Sequence, residues 1–153
     1  MKIKIVAVLL AAGLMSCESK TDIKVSKPIQ LVGTWKLISG TLIEKGDTVV
    51  TDYTQNVSFI KIINDTHFAF LQHDLTKGKN ATPVFSAGGG SYLLTDSLYK
   101  EHLEYCSDRS WENNDFRFTI VIKNDTLIQS GVEQIESEGV NRINIEKYVR
   151  VKK

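Results

Sequence analysis

In the stretch Tyr99-Lys100-Glu101-His102-Leu103-Glu104-Tyr105, strand alternation would put Tyr99, Glu101, Leu103 and Tyr105 on one face and Lys100, His102 and Glu104 on the other. The first face is the more apolar, so it is expected to turn inward and take Glu101 with it. A carboxylate in an apolar interior is costly unless it is paired or wetted. Two roles follow for Glu101: a contact for the polar end of a ligand, or a salt bridge across the interior to Arg150 or Lys61. His67, His73, His102 and Glu104 are side chains that suit zinc or iron, and His102-x-Glu104 sets two of them on one strand face. No further ligand follows at a diagnostic spacing, and neither Cys-x-x-Cys nor His-x-x-x-His occurs. These residues are therefore expected to be solvent-facing, with no metal and no cofactor. Catalytic signatures are absent too: there is no Gly-x-Ser-x-Gly elbow and no Gly-x-x-x-x-Gly-Lys phosphate loop. The glycine-rich Ser86–Ser91 segment has no helix after it and is expected to be a flexible lip or a bulge. The chain is not expected to be an enzyme.

The elements that must position these residues are strands. Period-2 runs occur at Thr34–Ile43, Val57–Ile63, His67–Leu71, Gly90–Thr95, Leu98–Cys106, Phe116–Lys123, Thr126–Gly131 and Ile143–Val151, eight in all. Asn64-Asp65, Thr95-Asp96-Ser97 and Asn124-Asp125 sit where tight hairpins must reverse. Such short links force antiparallel neighbours, because a parallel pair needs a crossover of about a dozen residues. Eight sequential strands leave two exposed edges unless the sheet closes. The expected fold is all-β, an antiparallel up-and-down eight-stranded barrel, with a two-sheet sandwich as the competitor. Most aromatics fall at every second strand position, as a barrel interior requires. The inward face of Ile143–Val151 stays open, since both of its faces carry charge.

The start of the chain carries an address. Met1-Lys2-Ile3-Lys4 is basic, and Ile5–Leu14 is an apolar or glycine run of ten. That is too short to span a bilayer, which takes roughly 20 residues, but it fits the core of a secretory signal. The following Leu14-Met15-Ser16-Cys17 resembles the lipobox of bacterial lipoproteins. The resemblance implies lipidation of Cys17, removal of residues 1–16, a polar tether over 17–30 and a domain over 31–153. Several acyl chains would anchor it stably, in the bacterial cell envelope, with the outer membrane favoured over the inner. Loss of Lys2 and Lys4 takes the 19 basic residues to 17 against 18 acidic ones. A near-neutral chain without a basic cluster has no electrostatic footprint for nucleic acid. With Cys17 consumed by lipid, Cys106 is the one remaining thiol and is expected to be buried rather than redox-active.

Gly33-Thr34-Trp35 opens the first strand and resembles the Gly-x-Trp signature of the lipocalin and fatty-acid-binding-protein (calycin) barrels. That likeness implies that Trp35 plugs the closed end beneath a basic residue of the last strand, here Arg150. A closer likeness, to the lipocalin-like lipoproteins of Gram-negative gut-type bacteria, is carried by Phe59–Ile63 with Thr66-His67-Phe68, by Gly88–Tyr92 and by Tyr99–Tyr105. The chain departs from fatty-acid-binding proteins at Glu44–Asn56, thirteen residues that are too few for a helical portal lid. The family is itself largely uncharacterised, so the likeness bears on fold and location more than on chemistry. The expected function is binding of a small hydrophobic or amphipathic molecule in a lumen open near Gly88–Gly90. Its expected contacts are Phe59, Phe68, Tyr92, Tyr99, Glu101, Tyr105, Phe118, Tyr148 and Arg150. The alternative is an interaction or inhibitor module that contacts an envelope protein through Leu75–Pro83 and Ser107–Asp115, the latter presenting Trp111.

Overall fold

A computed structural model describes residues 29–152. The proposed signal segment, Cys17 and all but the last two residues of the tether lie outside the described residues. The chain runs β1 (Gly33–Glu44), β2 (Asp47–Asp52), β3 (Val57–Ile63), β4 (His67–Asp74), β5 (Phe85–Thr95), β6 (Leu98–Cys106), β7 (Asn114–Lys123), β8 (Thr126–Ile135) and β9 (Val140–Arg150). Short 3-10 turns occupy Arg109–Trp111 and Glu136–Glu138. Every pairing is antiparallel, and β1 closes on β9 from Trp35↔Arg150 to Ile43↔Ile143. The result is a closed eight-stranded barrel with one additional strand, β2, outside the ring.

The hairpins expected at Asn64-Asp65, Asp96-Ser97 and Asn124-Asp125 form, and all three lie at one end of the barrel. Asn124 and Asp125 both take positive φ, 50° and 59°, as a two-residue hairpin with the sheet's own twist requires. The Asn64 carboxamide accepts from the backbone N–H groups of Thr66 and His67, an Asx turn that closes the β3–β4 link. The remaining links gather at the opposite end and form its mouth.

The strand missed by sequence pattern is β2. One edge of the long β1 pairs with β3 through Gly33–Lys36 and with β2 through Ser39–Glu44, so β2 stands above the start of β3. All six β2 residues are exposed. With neither face buried, Asp-Thr-Val-Val-Thr-Asp has no reason to alternate, and period-2 reasoning finds nothing in it.

Two bulges reset the alternation. Ile38 is the extra residue between Leu37 and Ser39 opposite β9. Glu104 is the extra residue on β6, where Gly89 pairs with Tyr105 but Gly90 with Leu103. An extra residue in one strand sends the next side chain to the other face. Tyr105 is therefore outside and 68% exposed, while Cys106 turns inward. The glycines opposite let backbones approach closely rather than form a lip: they sit inside β5, and a Cβ on Gly90 would lie 1.9 Å from the His102 carbonyl oxygen. Gly90→Ala is expected to force the two backbones apart and cost at least the ~1–3 kcal/mol typical of overpacking. Chemical denaturation of the variant against wild type checks this, and an unchanged unfolding midpoint would show that the two backbones can give way.

The hairpin end is closed by packing. Trp35 is fully buried and donates from Nε1 to the Leu31 carbonyl at 2.8 Å. The Arg150 guanidinium lies 4.0 Å over its ring and donates to the carbonyls of Val32 and Gln30. Phe68, Tyr99, Ile120, Leu127 and Tyr148 complete this apolar floor.

Candidate functional site

Above the floor the lumen opens into a cavity of about 360 Å³ that reaches the mouth. Its lower level is polar. Lys61 on β3, 3% exposed, donates to the Glu101 carboxylate of β6 and, at 2.9 Å, to Gln129 Oε1 of β8. The ammonium also lies 5.0 Å and 5.2 Å from the ring centroids of Phe68 and Tyr99, a favourable placement for a desolvated cation. Of the two roles foreseen for Glu101, the salt bridge across the interior is the one formed, with Lys61 as partner.

On β9 the inward face is Arg142, Asn144, Glu146 and Tyr148. Near the mouth, Glu133 of β8 accepts from Arg142 Nε at 2.7 Å and from Asn144 Nδ2 at 2.7 Å. Deeper, Glu146 accepts from the Tyr148 hydroxyl at 2.8 Å. Burial pushes the Glu146 carboxyl above the usual carboxylate range, against the pull of Lys61 and of the Tyr148 bond. The Tyr148 phenol is driven well up by the same burial and by the Glu146 charge beside it.

The upper level is aromatic. Phe59 stacks on Phe70 with centroids 5.8 Å apart, and Tyr53 meets the edge of Phe59 at the same separation. Phe116 and Phe118 form the facing wall. Gly88 has no side chain for a reason: a Cβ there would strike the Phe70 ring at 2.4 Å. Trp111, in the 3-10 turn, is half-buried rather than displayed. It packs 5.8 Å from Phe116, and the Arg142 guanidinium lies 5.1 Å over its ring.

Of the expected contacts, Phe59, Glu101, Phe118 and Tyr148 line the cavity. The rest do not. Phe68 and Tyr99 are buried in the floor beneath it. Tyr92 packs on Tyr99 at the closed end and donates its hydroxyl to the Asn64 carbonyl at 2.7 Å. Arg150 caps Trp35 at the closed end, as the Gly-x-Trp likeness implied, and cannot orient a molecule entering at the mouth. Tyr105 is on the outer face because of the Glu104 bulge. The lip expected at Gly88–Gly90 is strand interior, and the mouth is framed instead by residues 53–56, 75–84, 107–113 and 136–139.

Sequence reasoning passed over Gln129, Glu133, Arg142, Asn144 and Glu146. A signal existed: counting back by twos from Tyr148 and Arg150 reaches Glu146, Asn144 and Arg142. Cys106 lies at the cavity wall, half-buried, and burial pushes its thiol up. The histidines are on the outside and apart. His102 bonds Asp115 at 2.9 Å, His67 bonds the Thr66 hydroxyl and His73 the Asp74 carbonyl. No group of three or more metal-type side chains is gathered among the described residues.

One mouth loop has a built-in clamp. Asp74 accepts from the Thr76 hydroxyl and N–H and from the N–H groups of Gly78 and Val84. These bonds, the Thr76 hydroxyl foremost, hold its carboxyl far below its ordinary 3.8. A depressed carboxylate contributes stability above its unfolded pKa and loses it as the pH falls through the folded value. The loop is therefore expected to stay ordered well below pH 3.8. In Asp74→Ala the amides of Thr76, Gly78 and Val84 should exchange much faster at neutral pH, as NMR hydrogen exchange would record. Unchanged protection would mean that the clamp does not order the loop.

Comparison with protein-family models and with curated proteins finds no match for this chain.

Proposed function

We propose that this protein is a non-enzymatic, lipid-anchored, lipocalin-like barrel of the bacterial cell envelope that binds a small, mostly apolar molecule in its lumen. The observation that carries the reading is the one-ended cavity of about 360 Å³, walled by Phe59, Phe70, Phe116 and Phe118 beside polar groups that run from Lys61 and Glu101 at the base to Glu133 and Arg142 near the mouth. Small-molecule sites are concave cavities of about 300–1,000 Å³ in which apolar walls surround placed polar groups, and this lumen has that size and shape. The lipobox-like Leu14–Cys17 supports the anchor and the address. The competing reading, a module acting through its loops, loses its main argument, because Trp111 turns onto Phe116 and Arg142 instead of outward.

The test is native mass spectrometry of full-length protein purified from its own host, followed by titration of a neutral apolar fluorophore. A bound mass released by denaturation is expected, with probe affinity falling in Phe59→Ala and Phe118→Ala but not in Tyr105→Ala. Probe binding that follows Tyr105 and ignores the two lumenal phenylalanines would move the site to the outer surface and overturn the reading.

A further inference from the structure

The charges facing the lumen do not balance. Apart from Asp108, exposed at the rim and bonded to Ser110, three acids and two bases line the cavity: Glu101, Glu133 and Glu146 against Lys61 and Arg142. Both bases are committed. Lys61 holds Glu101, and Arg142 holds Glu133 at 2.7 Å. Glu146 is left with one neutral donor, the Tyr148 hydroxyl, and no cation within 4 Å among the described residues. Glu146 is half-buried on the cavity wall, so its carboxylate faces the space a ligand would fill without a cation of its own.

We propose that the lumenal ligand carries a cationic head, a primary ammonium or similar nitrogen cation, which is received by Glu146 while its apolar remainder lies among the mouth aromatics. The inference rests on the lumenal-binding reading and names the ligand class for it. Three features agree. The ammonium supplies the missing counter-charge. Phe59, Phe70 and Phe118 line the wall of the same cavity and suit the apolar remainder of such a ligand. A carboxylate-headed ligand would instead add a fourth negative charge to a lumen whose two bases are already paired.

The experiment compares three ligands with one tail and different heads: octylammonium, octanol and octanoate. Each displaces a neutral fluorophore from full-length wild type, Glu146→Gln and Tyr148→Phe. Wild type is expected to hold octylammonium at least about tenfold more tightly than octanol, roughly one well-made charged contact, with octanoate weakest. Glu146→Gln should erase the advantage of octylammonium over octanol. Tyr148→Phe, which removes only the hydroxyl that orients the carboxylate, should reduce the advantage in part. Unliganded Glu146→Gln should melt no lower than wild type, because the half-buried carboxylate holds no ion pair that its loss would break. A lower melting point would make Glu146 a structural member of the core and would overturn the proposal. So would octanol binding with no ammonium preference, or a preference that survives Glu146→Gln, although lumenal binding would stand. Failure of all three heads to displace the probe would overturn both readings.

Discussion

Replacing Lys61 with methionine is expected to cost about 3–5 kcal/mol, the penalty for removing one partner of a buried ion pair. Lys61 is 3% exposed and is the central cation of the lumen. Its removal strands Glu101, leaves the Gln129 carbonyl without its donor, and takes away the charge that draws Glu146 down. The penalty belongs to the stranded acid, so Lys61→Met with Glu101→Leu should recover most of the loss, because well-packed apolar pairs replace buried ion pairs at little cost. The pH dependence has a definite sign. A carboxyl whose folded pKa is raised contributes stability below its unfolded value and loses it as the pH rises. Glu146 is such a group, and without Lys61 its shift grows. The single variant should therefore lose stability more steeply than wild type as the pH rises above about 4.5. Urea unfolding across that range measures both effects. A single variant as stable as wild type at neutral pH would show that the pair contributes nothing that depends on the lysine's charge.

Trp35→Ala is expected to cost about 3–5 kcal/mol, as large-to-small changes at fully buried aromatics do. The side chain is 0% exposed, and its loss opens a void between the floor and the Arg150 guanidinium that lies on the ring. Trp35→Phe separates two contributions: it keeps an aromatic plug and removes the Nε1 donation to Leu31. Part of the cost should therefore return, with about 1 kcal/mol remaining for the hydrogen bond. Arg150→Ala should fall between the two, since the guanidinium also ties down Val32 and Gln30. Equilibrium unfolding, followed by tryptophan fluorescence (Trp111 alone in the two Trp35 variants), ranks the three. If Trp35→Ala unfolded within about 1 kcal/mol of wild type, the closed end would be held by its hairpins and not by the plug, since ordinary surface changes stay near ±0.5 kcal/mol.

The amino-acid pattern alone determined the parts of this protein that depend on near neighbours. Half-buried strands such as Val57–Ile63 and Leu98–Cys106 alternate because one face is wet and the other dry. Asn124-Asp125 reverses the chain because both residues accept positive φ, whereas the role of Trp35 with Arg150 at the closed end was implied only by the Gly-x-Trp likeness. Closure itself was legible, because short links leave successive strands antiparallel and open edges are unfavourable. What only the tertiary structure decided begins where alternation is interrupted or absent. One bulge residue, Glu104, sends Tyr105 out and Cys106 in, and nothing local announces it. β2 escaped because a strand exposed on both faces has no period. The largest gap is the charge pairing. Lys61 meets Glu101 across 40 positions and Gln129 across 68, and Glu146 is left unpaired only because Lys61 and Arg142 are taken by other acids. Side-chain direction repeats every two residues along one strand, but which charges meet inside a barrel depends on the register of every strand around the ring. That register is complete only once β1 has paired with β9.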